Sequence, residues 1–338
     1  MERWLHQLRS GGLTMRVPDI ADIRQAASRL AGVAVRTPLL QFPTLDARID
    51  GRVLIKPEVL QRTGSFKFRG AWNRLSQLSM AERRAGVVAW SSGNHAQGVA
   101  AAARILDIPA LIVMPKDAPR LKIERTEGLG AKVIFYDRIN EDREAIGRRI
   151  AADRGAVIVP PYDDPDIVAG QGTVGLEIAE DAGRLGVALD AVLVPAGGGG
   201  LAAGTALALG AAMSDAKVWC VEPQGFDDHA RSLAAGQRLG NEVGRQSFCD
   251  ALLAPMPGEF TFAINAARLA GGVAVSDAEV AAAMRFAFEE LKLVVEPGGA
   301  VALAAVLAGR FDAAGKSVVL ILSGGNADPA PFCRTIAG

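Results

Sequence analysis

From Gly86 onward the chain repeats one pattern: a short, largely apolar run, a turn, and a longer stretch with helical apolar spacing. Apolar runs at 87–90, 110–114, 132–136 and 156–159 are separated by helical stretches at 96–106, 120–129 and 142–153. A second series places helices at 167–185, 201–209 and 298–307 beside apolar runs at 191–194, 217–221 and 317–322. Ser276 and Glu279 form a capping box for a further helix reaching about residue 291. A strand that is apolar at successive positions needs cover on both faces. The pattern therefore predicts an α/β chain with parallel sheets flanked by helices. Residues 224–272 carry no clear period.

A length of 338 residues suits about two domains. The Pro-rich stretch from Pro160 to Pro165 is a natural point for an inserted lobe to rejoin the body. The expected division is 15–81 with 161–338 as a large domain and 82–160 as a small inserted one. An amphipathic helix over 19–30 opens the large domain. Residues 1–14 are expected to be a disordered extension, with Met15 a possible start. Net charge is zero, with 37 basic and 37 acidic residues, which argues against nucleic acid or an anionic membrane surface as partner. Three cysteines without metal-ligand spacing and three histidines speak against a disulfide framework and a zinc site. With no membrane-length apolar run and no signal-peptide core, a cytoplasmic location is expected.

Chemistry concentrates in four stretches. In Thr63-Gly64-Ser65-Phe66-Lys67-Phe68-Arg69-Gly70, one lysine stands beside an aromatic ring at the start of an expected helix. The positive field there favours its neutral amine, the form that condenses with an aldehyde cofactor; a lysine capping a surface helix is the plain alternative. Gly197, Gly198, Gly199 and Gly200 lie between the 191–194 strand and a helix starting near Leu201. Converging amides and the helix terminus suit a phosphate. Gly198, Gly200 and Ala203 also satisfy G-x-G-x-x-A, with Glu222 ending a following strand, so a dinucleotide-binding oxidoreductase is a rival. Ser91-Ser92-Gly93-Asn94-His95 turns at the C-terminal end of a strand, where amides and hydroxyls can hold a substrate carboxylate. In Glu222-Pro223-Gln224-Gly225-Phe226-Asp227-Asp228, two carboxylates and a carbonyl suit Mg²⁺ or Ca²⁺, or form a solvated acidic loop.

Together with Ser323-Gly324-Gly325-Asn326, Arg36-Thr37-Pro38-Leu39 and Glu296-Pro297, these motifs run in order over residues 19–328. In that order the chain resembles the threonine dehydratase and serine racemase family. The resemblance implies a fold-type II pyridoxal-phosphate enzyme, similar to the tryptophan synthase β-subunit, with the cofactor between two open α/β domains. It implies Lys67 as the Schiff-base lysine, with Phe66, Asn94, the glycine run, Leu201 and Ser323 around pyridoxal 5'-phosphate. Asn94 would meet the phenolic oxygen and Ser323 the pyridine nitrogen. A hydroxyl there cannot stabilise a pyridinium as a carboxylate would, which favours prompt loss of a β-leaving group. Ser91, Ser92, Gly93, Asn94, His95 and Arg143 would surround the substrate, with no proton transfer assigned to His95. Glu222, Asp228 and the Phe226 carbonyl would hold the metal. The racemase branch carries a serine where Ser92 stands, so Ser92 is a candidate proton donor on the face opposite Lys67. One departure is that Ala251 and Ala254 stand where the family has an Ala-Asp-Gly segment followed by a substrate-facing serine.

The expected function is a lyase that dehydrates L-threonine or L-serine to a 2-oxo acid and ammonia, as a homodimer. Racemisation of an amino acid or dehydration of 3-hydroxyaspartate is the near alternative. A binding protein that keeps the fold without catalysis is the remote one.

Overall fold

The computed structural model describes residues 15–118, 120–213 and 215–337. The extension expected over residues 1–14 lies outside them.

Among the described residues, ten strands form two sheets. The larger has the order β1 (Leu40–Gln41), β2 (Arg52–Pro57), β10 (Ser317–Leu322), β7 (Ala191–Pro195), β8 (Lys217–Pro223) and β9 (Gly271–Val275). Only the pairing of β1 with β2 is antiparallel. The smaller sheet is wholly parallel, in the order β5 (Lys132–Tyr136), β4 (Ala110–Pro115), β3 (Val87–Trp90) and β6 (Val157–Ile158). All four of its strands come from one continuous stretch, residues 87–158.

The runs of successive apolar residues in the central strands are explained by their two covered faces. Along β10, Val318, Leu320 and Leu322 pack among Ala283, Ala287 and Val301 from helices Asp277–Glu289 and Pro297–Leu307. Val319 and Ile321 point the other way, among Val174, Ile178 and Ala202 from helices Pro165–Arg184 and Gly200–Ala212. Each such side chain, fully removed from water, contributes about 1.5–3 kcal/mol. A shift of one residue would exchange the two faces, so the sheet's edges and ends are fixed with its core.

Residues 67–76 form a helix whose Phe68, Ala71 and Leu75 pack with Val99 and Ala102 of the helix Asn94–Ile105. The two backbones come close at Gly98, where an added Cβ would lie 3.1 Å from the Lys67 carbonyl carbon. The lysine-bearing helix of the large-sheet half is thus seated on the first helix of the small-sheet half. The turn before it closes onto the end of β10: the Phe66 amide donates to the Ser323 carbonyl at 3.1 Å, and the Gly325 amide to the Gly64 carbonyl at 2.8 Å.

Beneath that helix lies a closed group of buried charges. Arg69 donates to both oxygens of Glu58, each at 2.8 Å, and to Glu177 at 2.7 and 2.9 Å. Lys56 donates to the second Glu177 oxygen and to the Thr37 carbonyl, both at 2.6 Å. Two cations thereby neutralise two carboxylates, and they tie β2, the Lys67 helix and helix Pro165–Arg184 together.

Candidate active site

The C-terminal ends of strands from both sheets open on one cleft of about 190 Å³. Phe66, Lys67, Asn94, Gly197 to Gly200, Leu201 and Ser323 all line it. So do Ser91, Ser92, Gly93, His95 and Arg143. The two sets, far apart in the chain, meet because each ends a strand or begins a helix at the same edge.

Lys67 is the first residue of its helix. Its amine lies 5.2 Å from the centre of the Phe66 ring and donates to the Pro161 carbonyl at 2.7 Å. No carboxylate among the described residues neutralises it, and burial pushes its pKa down to about 8. The amine is therefore substantially neutral near pH 8, the form an aldehyde requires.

Facing it, β7 ends at Pro195 and the chain passes through four glycines into the helix Gly200–Ala212. Gly199 has φ +90°, a conformation that a side chain rarely adopts. The loop is braced from behind: Thr261 Oγ1 donates to the Gly198 carbonyl at 2.5 Å, and Asn265 Nδ2 to the Gly199 carbonyl at 3.3 Å. With its carbonyls held away, the loop can turn its amides toward the cleft at a helix N-terminus, a cradle suited to phosphate. Gly198 also answers to a neighbour. A Cβ there would fall 2.0 Å from the Tyr162 ring.

The strand β3 delivers Ser91 to His95. The Ser91 amide donates to the Val113 carbonyl at 3.2 Å, and the Gly93 amide to Ser91 Oγ at 3.2 Å, which shapes the turn. His95 Nε2 lies 2.9 Å from the Val159 carbonyl. Burial, with the charge of Lys67 adding to it, pushes its pKa down to about 3, so the ring stays neutral and holds the loop. Asn94 joins the halves. It donates to Glu296 and accepts from Asn326 Nδ2 at 2.8 Å.

Among the cleft residues that the sequence reading did not assign to the site, Tyr162, Lys122, Asp250 and Glu296 carry the polar chemistry. Lys122 and Asp250 form an ion pair between the two halves. Glu296 is buried at the cleft, and burial, followed by the nearby Asp250, pushes its carboxyl up to about 7. The Glu296-Pro297 dipeptide was a visible signal, but nothing in it indicated a partner 202 residues away in the chain.

Glu222 and Asp228 come together away from the cleft, with Phe226 buried in the turn between them. His229, absent from the expected set, is the third member of the cluster: one ligand atom from each of the three lies within 4.8 Å of the others. The dinucleotide alternative loses its acid here. Both Glu222 oxygens are occupied by the backbone amides of His229 and Ala230 at 2.9 Å, and the side chain is fully buried, out of reach of a ribose.

Comparison with known proteins agrees with this geometry. Residues 31–324 match the family described as pyridoxal-phosphate dependent enzyme. The chain is 45% identical over 324 residues to an L-threo-3-hydroxyaspartate ammonia-lyase of Pseudomonas sp, covering 96% of this chain and 100% of the relative. It is 40% identical to a serine racemase of Schizosaccharomyces pombe, covering 92% and 95%. Among solved structures, a threonine deaminase of T.th. superposes with a TM-score of 0.86 at 43% identity, over 92% of this chain and 99% of that one. With an unpaired amine of lowered pKa, a glycine cradle and a buried hydroxyl at Ser323 converging on one cleft, the chain belongs to the family of pyridoxal-phosphate dependent enzymes of fold-type II.

Proposed function

We propose that this protein is a pyridoxal-phosphate-dependent ammonia-lyase of β-hydroxy amino acids whose substrate carries a second carboxylate, as L-threo-3-hydroxyaspartate does. One observation carries the second half of that reading. Of the cations lining the cleft, Lys122 is paired with Asp250 and Lys67 is held by the Pro161 carbonyl. Arg143 has no carboxylate partner among the described residues. It is the first residue of the helix Arg143–Arg154, exposed at the cleft mouth with Asp142 capping the helix behind it. A free guanidinium beside a cleft of this size is a fork for a carboxylate that the α-carboxylate loop does not take.

The remaining roles follow from the same geometry. The cofactor, when bound, supplies the electron sink for the electrons released at the substrate Cα. The Gly197–Gly200 loop would hold its phosphate, Asn94 and Ser323 its ring edge, and Lys67 its aldehyde carbon. Ser91 to His95 would seat the α-carboxylate. Lys67, released and neutral, takes the Cα proton. The β-hydroxyl takes up a proton, balancing the one removed at Cα, and departs as water, and hydrolysis of the enamine that remains yields a 2-oxo acid and ammonia. The chain division at 82–160 belongs to this reading, supported by a sheet built wholly from residues 87–158. So do a reducing cytoplasmic compartment, supported by three unpaired cysteines, and a homodimer, which light scattering tests. No helix among the described residues is long and apolar enough to cross a membrane.

The test is a comparison of kcat/KM for L-threo-3-hydroxyaspartate, L-threonine and L-serine in the native protein and in Arg143→Met. The diacid is expected to be preferred, with its KM rising at least about tenfold in the variant while L-serine changes within about twofold. Equal losses on all three substrates would overturn the assignment. A second reading, threonine, is favoured by the apolar edge of Ala251, Leu253 and Ala254, and the same panel decides it. Chiral chromatography of the L-serine reaction tests Ser92 as a proton donor.

A further inference from the structure

Tyr162 lines the cleft and has no part in the chemistry assigned to its neighbours. The chain around it is fixed on both sides. The carbonyl before it, of Pro161, accepts from the Lys67 amine at 2.7 Å. After it, Asp163 accepts from the Glu259 amide at 2.8 Å and the Thr261 amide at 3.1 Å. Asp164 then caps the helix Pro165–Arg184 through the amides of Asp166 and Ile167. The ring lies along the glycine loop. A Cβ added at Gly198 would fall 2.0, 2.2 and 2.3 Å from three ring carbons, and one at Gly200 would fall 3.2 Å from the Tyr162 Cβ. A ring packed this closely is pre-organised, so whatever its hydroxyl meets is met in one geometry.

The hydroxyl has no such tie. A tyrosine oxygen taken out of bulk water ordinarily finds a partner. That of Tyr162 makes no hydrogen bond among the described residues, and the side chain is half-buried at the cleft. Four charged residues act on it: Asp163, Glu144, Arg143 and Arg238. Burial, followed by Asp163, holds the phenol above its ordinary pKa, so the proton stays on the oxygen as a donor. Three of the four charges are committed elsewhere: Asp163 to its two amides, Glu144 to Arg148 at 3.5 Å, and Arg238 to the Pro257 carbonyl at 3.0 Å. Arg143 is the one of the four that shares the cleft with the phenol. An exposed guanidinium and a half-buried phenol are thus two donors on one cleft, each without an acceptor among the described residues.

We propose that Tyr162 is a specificity residue whose hydroxyl donates to the second carboxylate of the substrate, on the side that Arg143 leaves open. The inference rests on the dicarboxylate reading of the substrate. A carboxylate offers about four lone-pair sites, and a guanidinium fork takes two of them. An arginine at the solvent edge gives a screened attraction with little power to choose. A donor held in the cleft wall turns that attraction into recognition of a particular group. The same hydroxyl discriminates among the monoacids. L-Serine carries nothing at this point, so the phenol can keep a water. L-Threonine would set a methyl group there and leave the hydroxyl unpartnered, which a site built to donate a hydrogen bond penalises.

Tyr162→Phe keeps the ring that rests on Gly198 and removes only the oxygen. The experiment compares the native holoenzyme with this variant on L-threo-3-hydroxyaspartate, L-threonine and L-serine. The Kd of malonate, a diacid without the amine, is read from the absorbance of the bound cofactor. Equilibrium dialysis gives the affinity of each apoprotein for pyridoxal phosphate. In the variant the KM for the hydroxy diacid is expected to rise about tenfold with kcat within about threefold, so that its preference over L-serine falls about tenfold. Malonate should bind about tenfold more weakly, and L-threonine should gain on L-serine by about threefold. Pyridoxal-phosphate affinity should stay within about twofold, because the loop keeps its ring. A preference that is unchanged in Tyr162→Phe but falls in Arg143→Met overturns the role of Tyr162 and leaves that of Arg143 standing. A loss of pyridoxal-phosphate affinity of about tenfold also overturns it, by placing the hydroxyl on the phosphate. A native enzyme with no preference for the diacid overturns the substrate reading itself, and malonate binding that is equal in native and variant proteins overturns the contact.

Discussion

Two groups of buried charges lie on either side of the cleft, and they are built on opposite terms. Under the Lys67 helix, Lys56, Glu58, Arg69 and Glu177 are two cations and two carboxylates with short, mutual hydrogen bonds. Behind the glycine loop, Glu222, Asp228 and His229 set two carboxylates against one imidazole, with three atoms unpartnered. Burial is equal; satisfaction is not. The first group is complete as folded and holds three elements in register. The second has a deficit of positive charge, and its geometry makes sense when a ligand of that sign is supplied. For buried polar clusters, the useful distinction is therefore whether every charge is answered, more than how deep the cluster lies.

The difference is tested hardest at Arg69. Replacing it with Met leaves Glu58 and Glu177 facing each other without their shared guanidinium, and about 3–5 kcal/mol of stability is expected to be lost in urea unfolding. A loss below about 1 kcal/mol would mean that the closed group does not hold the fold. Next comes the response to metal. A divalent ion bound only by the native state at about a hundred times its Kd adds about 2.7 kcal/mol, and its addition should raise the melting temperature of the native protein but not of Asp228→Asn. Equal melting temperatures with EDTA and with Mn²⁺ or Mg²⁺ would erase the contrast between the groups.

Asp228→Asn gives the third and smaller effect. Burial, with Glu222 adding to it, pushes the Asp228 carboxyl up to about 7. A folded-state pKa above the unfolded one gives stability that is present in acid and lost as pH rises through the folded value. The metal-free native protein should therefore lose stability between about pH 4 and about pH 7. The Asp228→Asn variant should flatten that slope, gaining about 1 kcal/mol at neutral pH. A steeper slope in the variant would contradict the assignment. The last expectation concerns Lys67, whose amine belongs to neither group. With its pKa near 8, capture of pyridoxal phosphate by the apoprotein should rise about tenfold from about pH 7 to about pH 9 and then level off. A rate still climbing steeply at about pH 10 would place the amine in an ordinary, solvated setting.

The sheets were legible because their central strands are buried on both faces, while the edge strand Lys132–Tyr136 still carries an apolar run although Lys132 and Phe135 are exposed. Val87–Trp90, Lys132–Tyr136 and Ser317–Leu322 have the ends that the apolar runs predict. The strand Gly271–Val275 was missed because it begins with two glycines, and neither tolerates a side chain: at Gly271 a Cβ would meet the Trp219 ring at 2.5 Å, and at Gly272 the Ala230 side chain at 2.6 Å. Helices Asp228–Ala235 and Glu259–Arg268 fall in the same unassigned region; their N-terminal amides are satisfied in part by distant carboxylates, Glu222 and Asp163, which local patterns do not reveal. The site divides similarly. A glycine run and a lysine in a Gly-Ser turn announce themselves, since few residues serve those backbones. The closed charge group, Tyr162 and the Lys122–Asp250 pair are made by folding alone.

The packing of Tyr162 on Gly198 has a consequence for how this sequence can change. A side chain at position 198 collides with the aromatic ring, at 2.0 Å, before it meets any ligand. The glycine is thus demanded by a partner 36 residues earlier as well as by the cradle it belongs to. Substitutions at the two positions are accessible only in one order: the ring must first give way to something smaller, and only then can the loop accept an alanine. A library that varies the glycine run alone would find that position closed, whereas one that varies both together samples routes that single steps cannot reach.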